Sequence, residues 1–134
     1  MVGKASPMEL IVCSDELIER VIGAAIEVHR VLGPGLLESI YERALMIELA
    51  DRGIAARNQV EVPASYKGHD LGVGFRADVI VEESLIVEVK ACSKIEPIHM
   101  AQTMTYQNQL HFKRALIINF NCRLLKDGIK RLSI

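Results

Sequence analysis

LIVEVKA, residues 85–91, follows FRADVIVEE, residues 75–83, after a single serine. Both runs are apolar with charges at alternate positions, the pattern of strands with one dry face and one mixed face. In the first run Phe75, Ala77, Val79 and Val81 share one face, and Arg76, Asp78, Ile80 and Glu82 share the other. In the second, Leu85, Val87, Val89 and Ala91 oppose Ile86, Glu88 and Lys90. A hairpin folded about Glu83 sets Val79 opposite Val87, Ile80 opposite Ile86 and Asp78 opposite Glu88. Carboxylates directly across a strand pair repel, so one of the two is expected to titrate high. A divalent cation between them reverses that sign. Two carboxylates suit Mg²⁺, which keeps several waters and accepts phosphate oxygens as further ligands. Lys90 points to the face of Glu88, where its ammonium could stabilise charge on a phosphate. A solvated polar face with no ligand fits the same alternation, and the hairpin alone does not separate the two readings.

Outward from the hairpin, the apolar period changes from two to about 3.6. A first helix is expected from Ser14 or Asp15 to Leu32, with Leu17, Ile18, Val21, Ala24, Ala25, Val28, Val31 and Leu32 as its buried stripe. Gly33-Pro34-Gly35 stops it, since glycine suits a C-cap and proline cannot continue a helix. A second helix starts near Leu36 and ends before Gly53, burying Leu37, Ile40, Ala44, Leu45, Ile47 and Leu49. NQVEVPASYKG, residues 58–68, reads as a strand ending in a turn at Lys67–Gly68. A third helix covers about Glu96 to His111, with Pro97 in its first turn. RALIINF, residues 114–120, is a strand of buried type, and GIKRLSI closes the chain as a short one. The order is ααβββαββ, an α/β domain over residues 15–134 after a loose lead-in at residues 1–14.

Composition narrows the class. The 134 residues are half hydrophobic and a quarter charged, enough for one core. No apolar run approaches the ~20 residues that span a bilayer, and the N-terminal residues carry no signal-peptide pattern. A cytoplasmic protein without a membrane partner is the expectation. Cys13, Cys92 and Cys122 stand too far apart for a CxxC site and read as idle thiols. The net charge of −1 hides an asymmetry: residues 113–134 hold six basic side chains and one acid, whereas residues 1–112 hold ten basic and sixteen acidic. Lys126, Lys130 and Arg131 belong to this cluster. It reads equally as a positive face for nucleic acid or as solvated side chains on an end strand.

Asp78, nine residues, then Glu88-Val89-Lys90 resembles the D…ExK core of the PD-(D/E)XK nuclease superfamily. Ala77 replaces the proline of that name. Gly35, Glu38 and Tyr41 in GLLESIY match the pattern of its GxxExxY family of small proteins. AIEVHRVLGPG and INFN are similar to that family as well. The resemblance covers residue 15 to the end and implies a restriction-endonuclease-like core, a central mixed sheet flanked by helices. It further implies a Mg²⁺-dependent (or Mn²⁺-dependent) nuclease hydrolysing phosphodiester bonds, with nucleic acid as partner and DNA favoured over RNA.

The resemblance also implies roles. Asp78 and Glu88 are metal ligands, joined by the backbone carbonyl of Val89, and Lys90 is catalytic. Gln102 and Tyr106, four apart on one helical face, resemble the extra motif of RecB-like and phage lambda-type exonucleases. There the motif orders the lysine and the phosphate. An amphipathic surface helix accounts for the same residues. Glu38 either reaches toward the metals or is a first-turn glutamate favoured by the helix dipole. Tyr41 reads as a packed ring whose hydroxyl bonds a neighbour. His29 is a site candidate or a packed histidine at a helix C-terminus. A catalytically silent nucleic-acid-binding or regulatory module of the same fold is the alternative function. A domain this small fits a homo-oligomer.

Overall fold

The computed structural model describes residues 9–134. Its elements are α1 (Asp15–Leu32), α2 (Glu38–Asp51), β1 (Ala56–Tyr66), β2 (His69–Val81), β3 (Leu85–Lys90), α3 (Pro97–Leu110), β4 (Arg114–Asn119), a 3₁₀ turn (Leu125–Gly128) and β5 (Ile129–Ser133). The five strands form one mixed sheet in sequential order, with only β3 and β4 parallel. This is the α/β architecture expected, consistent with a restriction-endonuclease-like fold. No helix among the described residues is long and apolar enough to cross a membrane.

Local chemistry places the helices. Ser14 caps α1 by accepting from the Leu17 N–H at 3.1 Å, and Glu96 and His99 form a reciprocal capping box at α3. One core layer joins α1 and α2 to Val79, Val81, Leu85, Val87, Val89, Leu116 and Ile118. A smaller layer packs Tyr106 and Leu110 of α3 with Phe75, Ala77, Ile80 and Ile86.

The helix boundaries match the expectation within one or two residues, and the buried faces match in part: Ile18, Val21, Ala24, Ala25, Val28, Leu45 and Leu49 are buried as expected. Val31 and Leu32 are exposed at the end of α1. On α2, Leu37, Ile40 and Ile47 are exposed, while Tyr41, Glu42, Leu45 and Leu49 are buried. The cause is Tyr41, whose ring stacks on Phe120 with centroids 4.6 Å apart. Its hydroxyl donates to the Gly33 carbonyl at 2.5 Å and accepts the Leu36 N–H at 3.1 Å. The hydroxyl thereby pins both ends of the Gly33–Gly35 turn with the Tyr41 side of α2 facing inward. Tyr41→Phe should cost about 1–2 kcal/mol of unfolding free energy, because two backbone groups lose their partner. Urea denaturation of the two proteins measures it.

The lead-in expected over residues 1–14 is structured where it is described. Ile11 bridges Phe112, its N–H donating to the His111 carbonyl at 2.7 Å, and Cys13 is buried in the core. Residues 1–8 of that lead-in lie outside the described residues.

Candidate active site

The β2–β3 hairpin closes as expected, with Val79 opposite Val87 and Ile80 opposite Ile86. Its turn places Glu82 and Glu83 at φ of 50° and 48°, and the Ser84 N–H donates to the Val81 carbonyl at 3.0 Å. That is the pattern of the primed turns that suit strand twist.

One expectation for these strands fails. Phe75 and Ala77 do not share a face with Val79 and Val81: they pack toward α3, whereas the two valines pack toward α1 and α2. Strict alternation would put Ala77 and Ile80 on opposite faces, yet both lie in the α3 layer. The switch occurs at Asp78 on β2 and at Gln59 opposite it on β1. The pairs on either side, Asn58–Val79 and Val60–Ala77, keep the register. Gln59 is held at φ of 51°, a left-handed conformation uncommon for a residue with a side chain. Glu42 of α2 explains why it holds, accepting from Asn58 Nδ2 at 3.1 Å and Gln59 Nε2 at 2.7 Å. Adjacent side chains of one strand thus turn to the same side.

The switch brings Asp78 and Glu88 together without making them a ladder pair. Beyond Val79–Val87 the regular pairing of β2 with β3 ends. Asp78 Oδ2 accepts the Val89 N–H at 2.8 Å, and Glu88 Oε1 lies 3.5 Å from the Asp78 N–H. Lys90 turns its carbonyl to β4, where it accepts from Phe120, so the carbonyl of Val89 faces the Asp78 side. Glu88 is 5 % exposed, and its carboxyl is pushed up to about 9 by burial first and by Asp78 second, with Lys90 opposing. One carboxyl of the pair does titrate high, but desolvation outweighs the repulsion that suggested it. Tyr106, stacked on Phe75 with centroids 3.9 Å apart, has its hydroxyl pKa raised by burial and then by Glu88 and Asp78. It therefore stays a donor at neutral pH.

Asp78 and Val89 open onto a cavity of about 460 Å³ whose other walls include Glu38, Ser39, Glu42 and Arg43 of α2. The sequence model of the PD-(D/E)XK nuclease superfamily matches residues 15–132. The chain belongs to this superfamily. Comparison with curated proteins and with solved structures gave no match. Membership in the PD-(D/E)XK superfamily points to nuclease-type chemistry and a nucleic-acid substrate.

PD-(D/E)XK nucleases usually use divalent metals, and the donors here fit that class. Asp78, Glu88 and the Val89 carbonyl offer only oxygen, which suits a hard cation that keeps part of its water shell. The described residues contain no group of three or more His, Cys, Asp or Glu side chains arranged to hold a metal, and the three cysteines are free.

The other candidates are spread more widely. Gln102 is exposed on α3, one turn before Tyr106, and no hydrogen bond among the described residues ties it to Lys90. His29 sits apart from the carboxylates, its Nε2 2.7 Å from the Cys122 carbonyl, and ties α1 to the loop after β4. Lys126, Lys130 and Arg131 do not form one patch. Ile129 packs toward α1 and Leu132 toward α3, so Lys130 faces the α3 side and Arg131 the α1 side. Arg131 pairs there with Glu19 at 2.9 Å. Lys126 lines a separate cavity with His29, Arg30 and Arg123.

Glu42 escaped the sequence reading although it is 8 % exposed and walls the same cavity as Asp78. Its signal was its place one turn after Glu38, on one helical face. The expected stripe held Leu45 and Leu49, which are buried beside Glu42, together with Leu37, Ile40 and Ile47, which are not.

Proposed function

We propose that this PD-(D/E)XK chain is a Mg²⁺-dependent nuclease of the GxxExxY type, with Mn²⁺ as a substitute and DNA as the favoured substrate. The observation that carries the reading is the burial of Glu88 against Asp78 at the point where β2 and β3 part. A fold gains nothing in stability from a desolvated carboxyl beside a second one. Asp78, Glu88 and the Val89 carbonyl would hold the cation, with Glu38 and Glu42 on the wall of the cavity that Asp78 and Val89 open onto. When bound, the ion polarises the scissile phosphate and makes hydroxide available near neutral pH.

The side chains supply the rest. Lys90, on the face of Glu88, stabilises the charge that builds on the phosphate. Tyr106 lies near both carboxylates, which help raise its pKa, so its hydroxyl would donate to the phosphate there, and Gln102 would extend that face of α3 toward the substrate backbone. Gly35 and Tyr41 of the GxxExxY pattern act on structure, through the turn that sets α2. That placement of α2 presents Glu38 to the cavity.

Calorimetric titration with Mg²⁺ or Mn²⁺ tests the metal site apart from cleavage. Wild type should bind, and Asp78→Asn should abolish the heat of binding. An unchanged isotherm would put the cation elsewhere. A silent nucleic-acid-binding module is favoured by one observation, the proton that Glu88 keeps at neutral pH, which a cation must displace. Cation binding by a wild type that cuts neither DNA nor RNA, single- or double-stranded, would select that reading.

A further inference from the structure

A second cavity, of about 270 Å³, lies where β3 and β4 end and β5 begins, with Ser93, Lys94, Asn121, Asp127, Gly128 and Lys130 in its walls. Strand register connects it to the carboxylate site. Glu88 pairs with Ile117 of β4 and Ile117 with Lys130 of β5. Directly opposed residues share a face, so Lys130 lies in the same row as Glu88, roughly 10 Å away at two interstrand spacings. Lys90 pairs with Asn119, which also lines this cavity. The α3 side of the sheet thus carries Glu88, Lys90 and then Lys130, and Lys94 joins Lys130 in the cavity wall.

The cavity floor is built. Asn119 is 4 % exposed. Its Oδ1 accepts from the Cys92 and Asn121 N–H groups, both at 3.1 Å, and its Nδ2 donates to the Cys92 carbonyl at 2.9 Å. These bonds join the loops that follow β3 and β4. Gly128 packs so closely that a Cβ there would meet the Asn119 carbonyl oxygen at 2.2 Å. Arginine supplies the cation in every ion pair among the described residues, so Lys94 and Lys130 keep their charges uncommitted. Asp127 is the one acid in the wall, which leaves the cavity net positive.

We propose that this cavity is a subsite for a non-scissile phosphate of the nucleic-acid strand, held by Lys94 and Lys130 with the Asn121 amide beside them. The inference rests on the nuclease reading and adds to it where the strand runs: along the α3 side of the sheet, from the carboxylates past Lys90 toward β5. The phosphate is an internal diester or a terminal monoester, since either presents the same oxygens to two ammonium groups.

The test is anisotropy of fluorescent single-stranded DNA oligonucleotides with the full chain in EDTA, titrated over NaCl, with 5′-phosphate, 3′-phosphate or neither. The pair Lys94→Ala with Lys130→Ala should weaken binding about tenfold or more and flatten the slope of log affinity against log salt by about 0.7, one single-strand phosphate contact. The pair Lys126→Ala with Arg131→Ala should leave both unchanged, and Asp127→Asn should tighten binding. A preference for one phosphorylated end that vanishes in the Lys94/Lys130 pair assigns a terminal monoester; loss on all oligonucleotides alike assigns an internal diester. Wild-type binding that the Lys94/Lys130 pair leaves intact overturns the subsite alone. Failure of wild type to bind any oligonucleotide also overturns the subsite, whereas the nuclease reading stands or falls on metal-dependent cleavage of single- and double-stranded DNA and RNA. Mg²⁺ calorimetry on the Lys94/Lys130 pair, expected to match wild type, keeps a folding defect from imitating the result.

Discussion

Lys90→Ala should lower single-turnover cleavage by roughly 10²–10³-fold, the loss typical of one charge-stabilising donor in a reacting site. The effect should fall on the chemical step. Lys90 lies on the face of Glu88 at the end of β3, where β2 has parted from the sheet, and its charge counts for more as negative charge builds on the phosphate than in the ground state. Removing a positive charge beside two carboxylates should leave Mg²⁺ affinity unchanged or raise it. Lys90→Arg should rescue poorly, because a planar fork does not replace a compact ammonium. Single-turnover assays with Mg²⁺ and Mn²⁺, read beside calorimetry, separate the two effects. Cleavage by Lys90→Ala at the wild-type rate would remove Lys90 from the mechanism.

Glu88→Gln should abolish Mg²⁺ binding and yet make the metal-free protein more stable at alkaline pH. In the unfolded chain this carboxyl ionises near its ordinary 4.5, whereas the fold holds its proton up to about 9. Between those values the unfolded state binds fewer protons, so stability falls as pH rises. At pH 8 the accumulated cost is on the order of 5 kcal/mol. Glutamine keeps the shape and does not titrate. Urea denaturation in EDTA should find the two proteins nearly equal at pH 5 and the variant ahead at pH 8. Parallel pH dependences would mean that Glu88 is not the group that sets the slope.

Element order and hairpin register were legible because period and turn chemistry are local. SLIVEVKA alternates without interruption, and its observed partners are those that alternation expects. The faces of α2 were not legible. Its apolar residues surround the helix, and a hydrogen bond from Tyr41 to the preceding turn, not apolar periodicity, decides which of them go inside. The break at Asp78 was hidden for a related reason: alternation assumes extended backbone throughout, and nothing in ARNQV marks Gln59 as left-handed. The side chain of Gln59 in that conformation is held by the carboxylate of Glu42, 17 positions earlier in the chain. The basic cluster is divided because neighbours in a strand are on opposite faces: Lys130 and Arg131 are adjacent in sequence and separated by the sheet in space.

The change of faces at Gln59 and Asp78 bears on how far this constellation can travel. A designer who copied Asp78, Glu88 and Lys90 onto an ideal hairpin would keep every spacing and still lose the arrangement. In an ideal hairpin the ladder continues past Val79–Val87, and the Val89 amide would pair with backbone instead of with Asp78. A transplant would have to include the opposing strand, with a residue able to hold φ near 51°, and a carboxylate from a neighbouring helix to hold it there. The portable unit is three strands and a helix, and a pattern search that scores only the acids and the lysine will accept chains that cannot assemble it.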